Sequence, residues 1–231
     1  MSPRKRFYDG IADEFDDLMN RYDLERRLEV VFDELLASID LEGALVLDAG
    51  CGTGEFSTAA LVRGARVVSV DIGPRLLART RNKGIEYVAA ADVAALPFPS
   101  GTFDVVMSSE CIEHTPSPEA SVLELARVLR PGGRLAVTCP NRTWYWSCAI
   151  ADRLGIRHYK GLENWPRWSA LRRWLTESGV AVAAHRGLHL FPFMLAPTHP
   201  ILRWLDRFGA VAGRMYVNQC IVGVKATPAS R

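Results

Sequence analysis

The feature that most constrains the fold is a glycine-rich turn that directly follows a short apolar run. The run Ala44–Leu47 ends in Asp48, and glycine then occupies every second position at Gly50, Gly52 and Gly54. Glycine adopts backbone conformations that other residues rarely reach, and it lets a ligand approach the main chain closely. In open α/β sheets, ligands bind at such turns beyond the carboxyl ends of the strands. The pattern therefore predicts a buried strand, a tight turn and a helix at a ligand site.

Downstream of this turn, short apolar runs alternate with segments of helical spacing. The predicted strands are Ala44–Leu47, Val67–Val70, Ile85–Ala89, Phe103–Ser108, Arg134–Thr138, Val180–His185 and Asn218–Lys225, and the predicted helices are Glu55–Arg63, Pro74–Arg81, Glu119–Leu129 and Ser169–Ser178. Strands that are apolar on both faces and alternate with helices indicate an α/β fold with a doubly wound, mostly parallel sheet.

We interpret residues 1–231 as one domain with additions at both ends of the sheet region. Residues from about Lys5 to Ile39 have helical spacing, which predicts a helical cap over 1–40. Two irregular inserts, 141–168 and 188–215, interrupt the later strands. Irregular segments after regular ones are where binding loops usually lie, so we expect both inserts on the substrate side.

Composition narrows the class of protein. The net charge of +2 over 231 residues gives no reason to expect nucleic-acid binding. No apolar run reaches the roughly 18 residues of a membrane-spanning helix, and the first residues lack a signal-peptide core. The five cysteines are odd in number and include no CxxC pair. This usage predicts neither a disulfide framework nor a zinc site, and it favours a cytoplasmic protein.

The glycine turn separates two candidate cofactors. A dinucleotide places its pyrophosphate on a helix N-terminus behind a GxGxxG pattern, whereas here the third glycine comes one residue early and Glu55 follows it. Asp48 would repel a phosphate, but it suits the ammonium and sulfonium of S-adenosylmethionine (SAM). SAM is therefore favoured over NAD.

Two further acidic residues follow later strands. Asp71 ends the second strand, where it can accept both ribose hydroxyls or instead cap a helix. Asp92 can take the adenine amino group or act as a turn residue.

Four stretches of the chain together resemble the class I SAM-dependent methyltransferases. They are VLDAGCGTG (46–54), VVSVD (67–71), AADVAALPFPSGTFDVVMSSECIEHTPSP (90–118) and LELARVLRPGGRLAVTCPNR (123–142). Within that superfamily, the ExxEH pattern over Glu110–His114 and the pair Asn141-Arg142 resemble the ubiquinone-biosynthesis O-methyltransferases. The resemblance implies a Rossmann-like, seven-stranded sheet whose last strand is antiparallel.

The resemblance also implies a set of cofactor contacts. Asp48, Gly50 and Gly54 are expected at the methionine part of SAM, Asp71 at the ribose, and Asp92 with Val93 at the adenine. The full expected cofactor set is Asp48, Ala49, Gly50, Gly52, Gly54, Asp71, Ile72, Asp92, Val93 and Ser109. Arg21, Arg26 or Arg27 could meet the SAM carboxylate, and each could equally be a solvated helix charge.

Methyl transfer to a phenolic oxygen requires removal of a proton near neutral pH, by a general base or with the help of a divalent metal. His114 is the candidate base, because histidine titrates in the required range. Glu110, Glu113 and His114 could instead hold magnesium, as the resemblance to quinol methyltransferases implies. A third interpretation makes Glu113 and His114 a brace for the helix near Ser117. His185 and His189 have metal-ligand spacing, but we interpret them as surface or satisfied core histidines.

The sequence thus predicts a SAM-dependent methyltransferase that acts on oxygen of a small aromatic or quinol-like acceptor. A sugar, glycolipid or polyketide acceptor and a non-catalytic SAM-binding protein are the alternatives. The segment from Thr143 to Ile156 and the apolar run 190–195 are interpreted as a lid over the acceptor, as a membrane-surface contact, or as packing against the sheet edge.

Overall fold

The computed structural model describes residues 3–12, 15–155 and 161–227, which are organised around one seven-stranded sheet. Its strands are β1 (Leu45–Ala49), β2 (Arg66–Asp71), β3 (Tyr87–Ala90), β4 (Phe103–Ser109), β5 (Leu129–Pro140), β6 (Val180–Leu188) and β7 (Asn218–Lys225). The order across the sheet is β3-β2-β1-β4-β5-β7-β6. The pairs from β3 to β5 are parallel, and β7 runs antiparallel to both of its neighbours. The predicted Rossmann-like, mostly parallel sheet with an antiparallel last strand is confirmed.

Helices cover both faces of this sheet and continue into the two inserts. They are α1 (Pro3–Ile11), α2 (Phe15–Leu18), α3 (Arg21–Leu28), α4 (Glu55–Val62), α5 (Pro74–Asn82), α6 (Pro118–Val128), α7 (Tyr145–Arg153), α8 (Trp168–Glu177), α9 (His199–Leu205) and α10 (Gly209–Ala212). A π-helix over Glu29–Leu35 continues α3, and 3-10 turns cover Ile112–His114, Arg142–Trp144, Ala196–Thr198, Asp206–Phe208 and Gly213–Met215.

The core divides into two layers because successive strand residues point to opposite faces of the sheet. On one face, alternate residues of β1, β4 and β5 pack against α6 and α8, with Leu125 and Leu171 fully buried. On the other face, the intervening strand residues pack against α4 and the π-helix, through Phe56 and Phe32. Both faces of the sheet are therefore covered, as the continuous apolar runs of its strands predict.

The N-terminal cap consists of several helices, as predicted, and the structure shows where the helical spacing is interrupted. The helical conformation is interrupted at Met19 and Asn20, and the Asn20 side chain accepts a hydrogen bond from the backbone N–H of Asp23. An asparagine that caps the next helix in this way interrupts the preceding one. The break separates α1 and α2 from α3.

The two inserts also contain more helix than expected. The first holds α7, and the second, expected to be irregular, holds α9 and α10 joined by 3-10 turns. Residues 156–160 of the first insert lie outside the described residues. Over the part of the chain that the structure describes, no helix is both long enough and apolar enough to cross a membrane.

Candidate functional site

A cavity of about 880 Å³ opens at the carboxyl ends of β1, β2 and β4. This is where the strand order reverses direction between β1 and β4, and ligands bind at such switch points in open α/β sheets. The cavity lies near the upper end of the roughly 300–1,000 Å³ range for ligand pockets. One end is lined by the glycine turn and acidic strand ends, and the other by the helical cap and both inserts.

The glycine turn between β1 and α4 is left-handed at all three glycines. Gly50, Gly52 and Gly54 have φ angles of 78°, 55° and 88°, which favour glycine. Gly50 and Gly52 line the cavity. A Cβ at Gly50 would lie 2.1 Å from the Cys111 sulfur, and one at Gly54 would lie 2.8 Å from Thr80. Packing of the turn against its neighbours therefore requires glycine at both positions.

Three residues of the expected cofactor set do not line the cavity: Asp92, which is described below, and Ala49 and Gly54, which stand behind its wall. Gly54 occupies the N-cap position of α4 and faces α5 through Thr80. Ala49 is fully buried in the sheet core. We therefore assign both residues to the shape of the turn rather than to direct ligand contact.

Asp48 and Asp71 place two carboxylates at the cofactor end of the cavity. Asp48 is buried and accepts a hydrogen bond from the Ser57 hydroxyl at 2.6 Å. Burial raises the pKa of Asp48 to about 6, with a further rise from the charge of Asp71 and an opposing effect of Ser57. Asp71 accepts from the backbone N–H groups of Gly52 (3.0 Å) and Gly73 (2.8 Å). Asp71 thus fixes the glycine turn in addition to facing the cavity.

The predicted adenine region is apolar. Ile72, Leu76, Ala91 and Val93 line the cavity there. Asp92 does not line it, and its carboxylate accepts a hydrogen bond from the Ala94 backbone N–H at 3.0 Å. Aspartate commonly binds its own backbone two residues onward in this way. The structure therefore gives Asp92 the turn role that the sequence left as an alternative.

Among the three arginines of the leading helix, only Arg27 lines the cavity. Arg21 is exposed and pairs with Glu25, and Arg26 pairs with the buried Asp206. Arg27 is buried, binds Asp23 at 2.9 Å, and donates to the Ser109 hydroxyl at 2.6 Å. These contacts put the Arg27 guanidinium beside the end of β4.

Glu110 follows β4 with a φ of 48°, which is a left-handed backbone conformation that a glutamate rarely adopts. Its carboxylate accepts a hydrogen bond from Thr138 at 3.2 Å. Burial raises the pKa of Glu110 to about 7, although the neighbouring charge of Arg27 acts in the opposite direction. Strained backbone and a perturbed carboxyl at one position are typical of a functional site.

His114 Nε2 lies 3.7 Å from Glu113 Oε1, but the side chains of Glu110, Glu113 and His114 do not form one open ligand site. The Glu113 side chain is 1% exposed and does not line the cavity, and burial raises its pKa well above the usual value. The His114 Nδ1 lies 2.9 Å from the Leu162 carbonyl oxygen. No group of three or more His, Cys, Asp or Glu side chains with metal-binding geometry occurs in the described residues. The predicted magnesium set therefore does not fit this arrangement.

His114 does line the cavity, next to the acceptor end. Because a carbonyl oxygen only accepts hydrogen bonds, Nδ1 is the donor in the contact with Leu162. In the neutral tautomer with this donor, Nε2, which lies 3.7 Å from Glu113 Oε1, carries the lone pair. The same contact ties the first insert to the 3-10 turn, as does the bond from the Asn164 N–H to the Glu113 carbonyl. His114 thus has a bracing contact, as one interpretation predicted, together with access to the cavity.

The acceptor end is lined by aromatic and aliphatic side chains from three separate segments. Those from the cap are Phe7, Tyr8 and Ile11, those from the first insert are Trp144, Trp146, Ile150 and Trp165, and those from the second are Pro192, Phe193 and Met194. The ring of Phe15, also from the cap, lies against Gly52 of the glycine turn. Both inserts therefore contribute side chains to the cavity. The sequence did not point to Tyr8 and Trp165, since a single aromatic residue in a helix or loop carries no positional signal.

His185 and His189 are both buried and are therefore core rather than surface residues, but the Nδ1 atom of each has no hydrogen-bond partner among the described residues. His185 stacks on Trp168 with ring centroids 3.3 Å apart and contacts Gln219. His189 contacts Asp23 through Nε2 at 3.0 Å. The two rings serve different neighbours and form no metal pair.

Comparison with known proteins agrees with this geometry. The sequence pattern of the family described as "Methyltransferase domain" matches residues 47–137. The chain is 38% identical over 179 residues to the ubiquinone biosynthesis O-methyltransferase of Xylella fastidiosa (strain 9a5c), a match that covers 71% of this chain and 72% of that protein. It is 35% identical over 153 residues to the enzyme of the same name from Xanthomonas oryzae pv. oryzae (strain PXO99A). That match covers 59% of this chain and 63% of the relative, which is less than two thirds of its length.

Solved structures share the fold over nearly the whole chain. Magnesium protoporphyrin IX methyltransferase from Synechocystis PCC 6803, solved with bound SAH, superposes with a TM-score of 0.69 and 18% identity, covering 96% of this chain and 98% of that one. A SAM-dependent methyltransferase from Mesorhizobium loti gives a TM-score of 0.65 at 20% identity, covering 87% and 100%. From the sheet topology, the glycine turn and the relatives at 35–38% identity, the chain belongs to the class I SAM-dependent methyltransferases.

Proposed function

We propose that this protein transfers the methyl group of SAM to a hydroxyl oxygen of a small aromatic, quinol-like acceptor. The observation that carries the proposal is the continuity of one cavity from a charged end to an aromatic end, with His114 on its wall. The relatives named ubiquinone biosynthesis O-methyltransferase support the acceptor class.

At the charged end, SAM carries three groups that match the protein. The ammonium suits the Asp48 carboxylate, the carboxylate suits the Arg27 guanidinium, and the ribose hydroxyls suit Asp71. The adenine ring fits the apolar wall of Ile72 and Val93. This orientation directs the methyl group toward the aromatic end.

At the aromatic end, flat side chains can hold a planar acceptor by stacking and exclude water from the reaction. Methyl transfer from a sulfonium is an in-line displacement, so alignment of the acceptor oxygen is the main requirement. A phenolic hydroxyl must also lose its proton. We assign this step to the Nε2 lone pair of His114, since the Leu162 carbonyl holds the proton on Nδ1.

The test is transfer of isotope-labelled methyl from SAM to catechols, hydroxyquinols and sugars, each assayed with magnesium and with a chelator. We expect label on catechols or hydroxyquinols both with and without chelator. Loss of transfer on chelation would contradict His114 as a sufficient base. Label on sugars alone would show that the acceptor is a sugar and not an aromatic compound. SAM binding without transfer to any acceptor would indicate a non-catalytic SAM-binding protein.

A further inference from the structure

His189 stands where β6 ends and the second insert begins, and its position is fixed through every backbone hydrogen-bonding group. Its φ of 60° is left-handed. Its backbone N–H donates to the buried Asp206 carboxylate at 2.8 Å, and its carbonyl accepts from the Val217 N–H at 2.8 Å. The side chain is fully buried. A strained backbone that the surroundings hold in place is typical of a residue with a positioning role.

The imidazole of His189 points to the carboxylate of Asp23 on the leading helix. Nε2 lies 3.0 Å from Asp23 Oδ1, and the Asn218 side-chain amide donates to the same oxygen at 3.0 Å. Since a carboxylate at this site only accepts hydrogen bonds, Nε2 is the nitrogen that donates. Burial by itself would raise the pKa of Asp23, but Arg27 and His189 hold it below the usual value. Asp23 is therefore a buried charge that depends on its donors.

The other oxygen of Asp23 holds Arg27. The Arg27 Nε donates to Asp23 Oδ2 at 2.9 Å, and its Nη1 donates to Ser109 at 2.6 Å. These contacts aim the guanidinium at the cavity, which Asp23 and His189 do not line. A bidentate arginine site depends on orientation to within a few tenths of an ångström, so the donors behind the carboxylate matter for its affinity.

The same histidine contacts the acceptor end. The Phe193 ring, which lines the cavity, lies 4.5 Å from the His189 ring between centroids. Pro192 and Met194, on either side of Phe193, also line the cavity. One buried ring thus connects the arginine at the cofactor end with the insert that covers the acceptor.

From this chain of contacts we propose that His189 is a positioning residue that acts through Asp23 to orient Arg27 toward the carboxylate of the cofactor's amino-acid part. The proposal rests on the assignment of Arg27 in the proposed function. The same contacts couple the second insert to the amino-acid part of the cofactor. A shift of the Arg27 guanidinium would displace Asp23 and then His189, and the His189 ring contacts Phe193.

Two ligands distinguish a loss of Arg27 orientation from general damage to the site. S-adenosylhomocysteine has the amino-acid part, whereas 5′-methylthioadenosine has the same adenosine and sulfur but lacks the carboxylate and the ammonium. Calorimetry on the whole chain measures both affinities. We expect His189→Ala to weaken S-adenosylhomocysteine about tenfold, equivalent to about 1.4 kcal/mol, and methylthioadenosine less than about twofold.

Three further variants complete the design. His189→Gln keeps a donor at the Nε2 position and should restore S-adenosylhomocysteine affinity to within about threefold, even if the alanine variant folds poorly. His185→Gln changes another buried histidine, which contacts Gln219 and not Asp23, and should leave both affinities unchanged. Arg27→Met should remove most of the preference for S-adenosylhomocysteine.

The outcomes distinguish the two assignments. If Arg27→Met lowers the preference but His189→Ala weakens both ligands equally or neither, the positioning role is wrong and the Arg27 assignment stands. If Arg27→Met leaves the preference unchanged, the Arg27 assignment itself is wrong. Amide exchange of residues 190–195 gives an independent measurement. S-adenosylhomocysteine, but not methylthioadenosine, should slow it in the native protein, and equal slowing by both would overturn the coupling to the insert.

Discussion

Asp48→Asn tests whether the cofactor end of the cavity carries a charge whose burial costs stability. The Asp48 side chain is nearly fully buried, and burial raises its pKa from 3.8 to about 6. A shift of about two pKa units corresponds to about 3 kcal/mol. Because the pKa is higher in the folded state than in the unfolded state, the folded protein binds this proton more tightly. The free-energy cost of burying the Asp48 charge is therefore absent below about pH 4, and it is complete above about pH 6.

We expect Asp48→Asn to raise the free energy of unfolding of the cofactor-free protein by about 2 kcal/mol near pH 7.5. This is the cost of about 3 kcal/mol less about 1 kcal/mol for the weaker hydrogen bond that Ser57 makes to an amide. Near pH 4.5 most of the gain should vanish. Urea denaturation at both pH values measures it, and Glu119→Gln, at an exposed position, is the control. A gain that does not depend on pH would refute the reasoning.

Three other predictions use the same preparations. Asp71→Asn should weaken SAM binding by about 1–3 kcal/mol in calorimetry, and unchanged affinity would remove Asp71 from the site. His114→Gln should lower kcat for a phenolic acceptor by a factor of about 10² or more while S-adenosylhomocysteine affinity stays within about twofold. An equal loss of kcat and of affinity would indicate that His114 only supports the local structure. Trp146 and Leu154 expose 56% and 66% of their surface near the cavity mouth. If the first insert contacts a membrane surface, the native protein should sediment with anionic vesicles and the double variant Trp146→Ser, Leu154→Ser should not. Equal sedimentation of the two proteins would exclude this contact.

Much of the fold could be predicted from the sequence because the central parallel strands contain short apolar runs that a polar residue follows. In β1, Leu45–Leu47 precede Asp48, and in β2 the valines at 67, 68 and 70 precede Asp71. The errors fall where local chemistry overrides a periodic pattern. Asn20 is a polar residue inside a helical pattern, and only the structure shows that its side chain caps the following helix.

The second insert was expected to be irregular because prolines and glycines interrupt it. Pro197, Pro200, Gly209 and Gly213 are typical breaker residues. In the structure, both prolines occupy first-turn positions, where proline is tolerated, and the short helices join through 3-10 turns. Breaker residues here divide the helical segments without removing them.

The candidate site was predictable where a residue type is tied to a strand end, and not where the answer depends on helix rotation. Asp48 and Asp71 line the cavity as expected. The choice among three arginines in the leading helix needs its rotation about its axis, which the pattern of apolar residues defines only loosely. Asp23 lies four residues before Arg27, but Arg21 has the same spacing to Glu25, so ion-pair spacing alone does not select Arg27 from the sequence.

Two buried ionisable groups with altered pKa values, Glu110 and Arg27, lie together beside the end of β4. Burial raises the pKa of Glu110 to about 7, and Glu110 also has a left-handed backbone. Arg27 lies close enough for its charge to oppose that rise. A fold selected only for stability would not keep a strained glutamate beside a buried arginine, since each feature costs of order 1–3 kcal/mol. The positive charge of a bound sulfonium would stabilise the Glu110 carboxylate, so we interpret this strain as preorganisation for the cofactor.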